Sequence, residues 1–200
     1  LNDNGILPDY QVLLDARQET ATLISKAKKY LFASQVHPDC FAAKPEAQLW
    51  HLQIGDIENE LEWYEPAYAL IGGAASVGNT TTCLAYTLGY RNLHLFGYDS
   101  SHKNGCGHAF HQKMNEGDPC AVVRFNSKEY TASFTMKLQA EKFRETAQAL
   151  VDAGVSITVH GTGLLPDMWA NPNIVEFMTE QEKYEQIWQM DAYRIGSPGE

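Results

Sequence analysis

Residues 68–82 constrain this chain more than any other stretch. A short apolar run, Tyr68-Ala69-Leu70-Ile71, ends at Gly72-Gly73, and small polar residues (Ser76, Gly78, Asn79, Thr80) then open a helix expected to reach Leu88. Gly89 leads into a second apolar run, Leu93-His94-Leu95-Phe96, which ends at Gly97-Tyr98-Asp99-Ser100-Ser101. Strand, glycine turn, helix, strand is half of a nucleotide-binding α/β unit. The start of such a helix offers unpaired amides and the positive end of a dipole to an anion such as phosphate. Asp99 falls at the carboxyl end of the next strand, where open α/β sheets keep their ligands.

The same alternation extends in both directions. Tyr10-Gln11-Val12-Leu13-Leu14 reads as a buried strand ending at Asp15, followed by a helix over 18–29 and a strand over 30–33. Ser34-Gln35-Val36-His37-Pro38 then leads to a short helix over 39–44, a strand over 48–52 and an acidic loop over 54–66. Beyond Asp99, residues 100–119 form a long polar loop rich in His and Gly, a length that in a compact domain usually carries function or disorder. Runs over 121–125 and 129–133 flank Asn126-Ser127-Lys128 and predict a hairpin inserted over the sheet edge. Residues 135–153 have the clearest helical periodicity, and Val155-Ser156-Ile157-Thr158-Val159 is a last strand, closed by His160-Gly161-Thr162-Gly163. Strands alternating with helices predict an α/β fold with a mostly parallel sheet, helices on both faces and right-handed crossovers. The polar strand endings Asp15, Ser34-Gln35, His51, Gly72-Gly73, Asp99 and His160-Gly161 then fall along one edge.

With 44% hydrophobic residues in 200, the chain can bury one substantial core. A formal charge of −10 argues against duplex nucleic acid or an anionic membrane as the main partner, yet leaves room for a phosphorylated small molecule. No apolar run approaches the roughly 18–20 residues of a membrane span. Cys40, Cys83, Cys106 and Cys120 form no CxxC pair and read as reduced thiols of a cytoplasmic protein. The lack of an initiator Met and the loop-like ends read as a fragment of a longer chain that lacks an N-terminal strand.

Several residue types here could carry chemistry. The 72–82 stretch has neither the Lys of a P-loop nor GxGxxG spacing, and its plainest reading is a tight turn with a Ser/Thr cap. Ligand binding is favoured because small polar residues continue for two turns beyond what capping needs. Asp99 and Asp15 are each a turn cap or a carboxylate for a metal, a sugar hydroxyl or a proton. His108 and His111 follow His102, but Gly105 and Gly107 argue against a helix presenting them together, so no metal site is expected. A general acid/base or phosphate-contacting imidazole fits better, with His37 and His160 as further candidates. The competing reading for each is a hydrogen-bonded structural histidine. No Cys has a neighbouring arrangement that demands a nucleophile, and Cys83 reads as core.

Taken in order, these motifs resemble a known family. Leu-Asn-Asp-Asn-Gly-Ile-Leu-Pro-Asp-Tyr with Asp15, Ser34-Gln35-x-His37-Pro38, Trp50-His51, Gly72-Gly73-x-x-x-Val77-Gly78 and Gly97-x-Asp99-Ser100-Ser101 are similar to the 6-hydroxymethylpterin diphosphokinase MptE-like family. So are His108-Ala109-Phe110-x-Gln112, Met136-x-x-Gln139-Ala140 and His160-Gly161-x-Gly163-Leu164-Leu165, and the likeness is strongest to the phage and prophage branch. The resemblance spans residues 1–169. It implies a Rossmann-like domain over 1–169; the polar residues that follow read as a C-terminal helical tail or linker over 170–200, expected to pack on another copy or a flanking domain.

The family includes archaeal enzymes that pass diphosphate from ATP to a hydroxymethyl pterin with Mg²⁺, and bacterial flagellin-modifying proteins thought to transfer nonulosonic acid sugars. Residues 89–99 are also similar to bacterial sialyltransferases, which use CMP-activated sugars. The His-Gly-Asp-Asn run of the archaeal kinases is not found in this chain. The resemblance therefore implies first a transferase that binds a nucleotide-activated donor, a nucleotide sugar. Asp99, His108 and His37 would be catalytic. Asp15, Gly72, Gly73, Ser76, Gly78, Asn79, Thr80, Ser100, Gln112, His160 and Gly161 would bind the donor. Mg²⁺ enters only under the alternative of diphosphate transfer from ATP, with Asp99 and Asp15 as ligands. A third reading is a non-catalytic, phage-encoded binding module.

Overall fold

In the computed structural model, residues 1–53, 70–73, 76–103 and 119–174 are described. The acidic loop, His108, Gln112 and residues 175–200 of the expected helical tail lie outside them.

Four short strands rich in apolar and aromatic residues pair in parallel in chain order: β1 (Tyr10–Leu13), β2 (Lys29–Ala33), β3 (Gln48–Leu52) and β4 (Leu70–Ile71). Tyr10 lies opposite Lys29, Leu31 opposite Gln48 and His51 opposite Leu70. Parallel neighbours need a crossover at each step. The first is a 3-10 helix over Gln18–Leu23, shorter than the α-helix expected over 18–29. Its early end has a local cause. The Gln11 side chain donates to the Leu23 carbonyl (2.8 Å) and accepts from the Ser25 amide (2.9 Å), which draws the chain out of helical geometry. The second crossover contains α1 (Pro38–Ala43), whose leading proline suits a first helical turn.

β2 is the inner strand on which this half is packed. Tyr30, Leu31, Phe32 and Ala33 are all buried, so both of its faces are covered, as parallel sheets require. Phe32 meets Phe41 of α1 edge-on at 5.5 Å, and Leu84 of α2 (Val77–Thr87) joins the same cluster.

α2 leads to β5 (Asn92–Phe96), which pairs in parallel with β8 (Ser156–His160), placing Phe96 opposite His160. Between them lies the expected hairpin, β6 (Cys120–Phe125) and β7 (Lys128–Ser133), paired antiparallel. Its two turn residues, Asn126 and Ser127, have φ of 51° and 60°, the left-handed pair that matches the twist of a two-residue hairpin. α3 (Phe134–Asp152) is capped by the Ser133 hydroxyl and buries Ala140, Phe143, Ala147 and Leu150 along one stripe. α4 (Leu164–Ala170) follows β8 and inserts Leu164, Leu165 and Met168 into the same cluster, with Trp169 edge-on to Phe143 at 5.6 Å.

There are thus two apolar clusters, one around Phe32 and one around Phe143, and Cys83 of α2 touches both. The β5–β8 pair differs from β2 in one respect. Leu93 and Leu95 point into the core, whereas Asn92, His94 and Phe96 are exposed, Phe96 at 70%.

Candidate active site at the carboxyl ends of β4 and β5

The glycine turn after β4 is shaped by its own backbone. Gly73 has φ of +94°, and a Cβ there would lie 2.9 Å from the Asn79 and Thr80 backbone, so only glycine lets the turn close on the first turn of α2. Thr80 fixes that closure, donating from its hydroxyl to the Gly73 carbonyl at 2.9 Å and within reach of the Ser76 carbonyl at 3.0 Å. Ser76 caps the helix by accepting from the Asn79 amide at 3.1 Å. The side chains of Asn79 and Thr80 turn inward: both are fully buried, and Asn79 donates to the Gln139 carbonyl of α3 at 3.2 Å. Thr82 is buried too and bonds back to the Gly78 carbonyl. What this helix start presents outward is Ser76, Val77 and Gly78, whose leading amides have no partner within the helix by its geometry.

A second turn lies beside it. After β5, Ser100 adopts φ of 45°, a left-handed conformation uncommon outside glycine, and folds the chain back. The turn is fastened to the start of α4: Leu165 donates its amide to the Asp99 carbonyl at 3.1 Å, and Leu164 donates to the Ser101 hydroxyl at 3.1 Å. The glycines of the β8–α4 loop allow this approach. A Cβ on Gly163 would fall 2.6 Å from the Asp99 Cβ, and one on Gly161 would fall 2.7 Å from the Asp99 carboxylate. Among the described residues no hydrogen-bond donor reaches that carboxylate, which is half-buried at the end of its strand.

The two turns are joined through Tyr98. Its hydroxyl donates to the Gly78 carbonyl at 2.9 Å, and a Cβ on Gly78 would sit 3.0 Å from the ring. Burial pushes the Tyr98 phenol up from its ordinary value, the nearby Cys83 adds to the rise, and contact with Thr82 opposes it; the ring stays a neutral donor. Tyr98 thus ties the first turn of α2 to the residue that precedes Asp99.

The other expected residues are placed as follows. Asp15 receives the Arg17 amide at 2.9 Å and its guanidinium Nε at 2.8 Å, and Arg17, chiefly through the side-chain bond, lowers its pKa. His37 caps α1, its Nδ1 accepting from the Asp39 amide at 3.2 Å. Gly72 sits against Gln53 at the end of β4. His160 shares a 2.9 Å hydrogen bond with His94 and stacks on Phe96 at 4.2 Å, on the open face of the β5–β8 pair.

Three features escape a reading by sequence. Asp167 of α4, only 10% exposed, accepts from Tyr130 at 2.7 Å, Lys128 at 3.1 Å and Asn171 at 3.0 Å, clamping the hairpin to α4. Burial raises its carboxyl, but the bonds from Tyr130, Lys128 and Asn126 outweigh this and hold it below the usual range. The same pairing, after burial itself, pushes the Tyr130 phenol far up. The imidazole of His102 lies 3.2 Å from the Cys120 sulfur, across 18 residues of chain. His94 completes the stack with His160. In principle the only forewarning was composition, since each partner is far away in sequence. A cleft of about 700 Å³, lined by Asn2, Gly5, Ile24, Lys26 and Lys44 among others, opens at the amino ends of β1 and β2, away from these turns.

Among the described residues no group of three or more His, Cys, Asp or Glu is arranged to hold a metal, and no helix is long and apolar enough to cross a membrane. No curated protein and no solved structure gives a significant match. The family model described as 6-hydroxymethylpterin diphosphokinase MptE-like matches residues 1–105, taking in β1 to β5 and the Asp99 turn but not the motifs beyond. With more than half its length in that match, the chain belongs to the 6-hydroxymethylpterin diphosphokinase MptE-like family.

Proposed function

We propose that this domain is a transferase that binds a nucleotide-activated donor at the carboxyl ends of β4 and β5, and that the group it moves is a sugar. The reading is supported chiefly by the bond from Tyr98 to Gly78, which ties the start of α2 to the residue next to Asp99, whose carboxylate no donor among the described residues reaches. Amides at a helix start suit a phosphate. A neighbouring carboxylate suits sugar hydroxyls. In glycosyl transfer from a nucleotide sugar the leaving group is the phosphate, so donors aimed at its growing charge supply much of the catalysis. The backbone at Ser76, Val77 and Gly78 takes that role, while Asn79 and Thr80 hold the turn in shape. His108 and Gln112 remain candidates for proton transfer and donor binding. The resemblance read in the sequence to flagellin-modifying proteins and sialyltransferases favours a sugar over other groups.

Diphosphate transfer from ATP is the second reading, favoured by the family's description. Of the two carboxylates expected to hold Mg²⁺, Asp15 is engaged by Arg17, whereas no donor among the described residues reaches Asp99. One carboxylate together with nucleotide phosphates is compatible with how Mg²⁺ binds. The ion would neutralise charge on the transferred phosphates.

Thermal denaturation with CMP, a CMP-sugar and ATP, each with and without Mg²⁺, separates the readings. A ligand present at a hundred times its Kd stabilises by about 2.7 kcal/mol, or roughly 5–10 °C at this size. A Mg²⁺-independent rise with the cytidine ligands supports the sugar donor. A rise with ATP only when Mg²⁺ is present supports diphosphate transfer. No rise with any of them favours a binding module without catalysis.

A further inference from the structure

The β6–β7 hairpin is a sheet of two strands, and its two outer edges differ. The β7 edge has a neighbour: the His102 amide donates to the Thr131 carbonyl at 2.6 Å, tying the hairpin to the turn that follows β5. On β6 the register fixes which backbone groups face away from β7. Phe125 and Lys128 flank the two-residue turn as a hydrogen-bonded pair, and bonded and non-bonded pairs alternate from there. Val122–Thr131 and Arg124–Glu129 are therefore non-bonded pairs, so Val122 and Arg124 point both backbone groups outward. The Thr131 carbonyl obeys the same alternation, since it turns away from β6 to meet His102. Among the described residues no backbone hydrogen bond reaches Val122 or Arg124 from the outer side. Native sheets blunt such an edge with charge, proline or a bulge. Here the register is unbroken from Cys120 to Phe125, residues 120–123 carry no charge, and Val122 is 60% exposed.

We propose that the β6 edge is an interface for a second copy of this chain, with β6 pairing antiparallel to β6 about a two-fold axis at Val122. Parity and charge select that register. A two-fold axis sets one residue opposite itself, and only an outward-facing residue exchanges both hydrogen bonds with its own copy. Val122 meets that condition in the uncharged part of the strand, with Ala121 opposite Val123 on either side. An axis at Val123 would make the two Arg124 side chains diagonal neighbours of like charge. The axis at Val122 holds them four residues apart along the strand, roughly 13 Å. Charge also favours this face over others. The chain carries a formal −10, which opposes association, yet residues 120–133 hold Arg124 and Lys128 against the single anion Glu129. The product is a four-stranded antiparallel sheet, β7–β6–β6–β7, which uses each free edge once and so closes as a dimer rather than growing into a fibre. Pairing of one short strand places the contact among small, transient interfaces.

The test is sedimentation equilibrium of the whole chain over a wide concentration range, on the parent and on two variants at the axis. The parent should show a reversible monomer–dimer equilibrium with no larger species. Val122→Lys and Val122→Glu each set like charges face to face across the axis, and each should raise the dimer dissociation constant at least about tenfold. Because the position is exposed, both should keep the parent circular dichroism. An equimolar mixture of the two variants sets an ammonium opposite a carboxylate at the same point. It should dimerise within about threefold of the parent, a recovery that neither misfolding nor a different face would produce. A parent that stays monomeric, variants that dimerise as the parent does, or a mixture no better than its components would overturn the proposal.

Discussion

Tyr98 gives its hydroxyl proton to the Gly78 carbonyl at 2.9 Å, and this contact sets the spacing between the start of α2 and the Asp99 turn. Tyr98→Phe keeps the ring and removes the bond, leaving a half-buried carbonyl without that donor. The expected cost is about 1 kcal/mol, seen as a fall of roughly 3 °C in Tm by calorimetry. Gly78→Val, which must displace the ring, should cost more.

Asp99→Asn preserves shape and removes charge at a carboxylate that no described donor holds. Stability should stay within about 0.5 kcal/mol of the parent. Donor affinity should fall about tenfold, close to 1.4 kcal/mol, in isothermal titration. Equal losses in both quantities would assign Asp99 to the scaffold.

Gly163→Ala places a methyl group against the Asp99 backbone, where neither neighbour can yield without moving the turn. Gly89→Ala is the control, since Gly89 has φ of +96° but open space around its Cα, so the substitution adds only backbone strain. Urea unfolding should show a loss of about 1 kcal/mol for Gly89→Ala and about 2–3 kcal/mol for Gly163→Ala. Only the latter should also weaken ligand binding.

The Asp167 clamp should make stability depend on pH at both ends of the range. Its folded carboxyl titrates below the unfolded value near 4, so its contribution is complete above that value and is lost as pH falls through the folded pKa. Tyr130 is raised, so its contribution is complete below about 10 and is lost only in strong alkali. Asp167→Ala should therefore lower Tm by roughly 6 °C near pH 7, for about 2 kcal/mol, and by much less near pH 2. Melting curves of both proteins across pH 2–8 test the difference.

What sequence could reveal here was whatever depends on near neighbours. The strand over 48–52, the hairpin and the amphipathic stripe of Ala140, Phe143 and Ala147 follow from periods of two and of three to four residues, and the structure contains all of them. The 18–29 segment departed because Gln11, on another strand, bonds to its backbone. α4 was not foreseen, since Gly163-Leu164-Leu165-Pro166 looks like the end of a strand until Asp99 and Ser101 supply partners for its first amides. Asn79 and Thr80 illustrate the same limit at the site. As letters they are groups able to hold a ligand, but the Gln139 carbonyl, 60 residues further on, draws Asn79 inward. The 3.2 Å approach of His102 to Cys120 joins residues 18 apart in sequence, which no local period signals.

The strand order has a kinetic consequence. β1 to β4 pair with their nearest neighbours in the chain, so that half can form through pairings close in sequence. β5 must wait for β8, as His94 and His160 meet across 66 residues after the hairpin and α3 have been made. Asp99 and the Gly161–Gly163 turn that fastens it both belong to this late step. Asp99 is thus packed by the contacts of longest sequence separation, and a chain halted before Ser156 would have the start of α2 but not the Gly161–Gly163 turn.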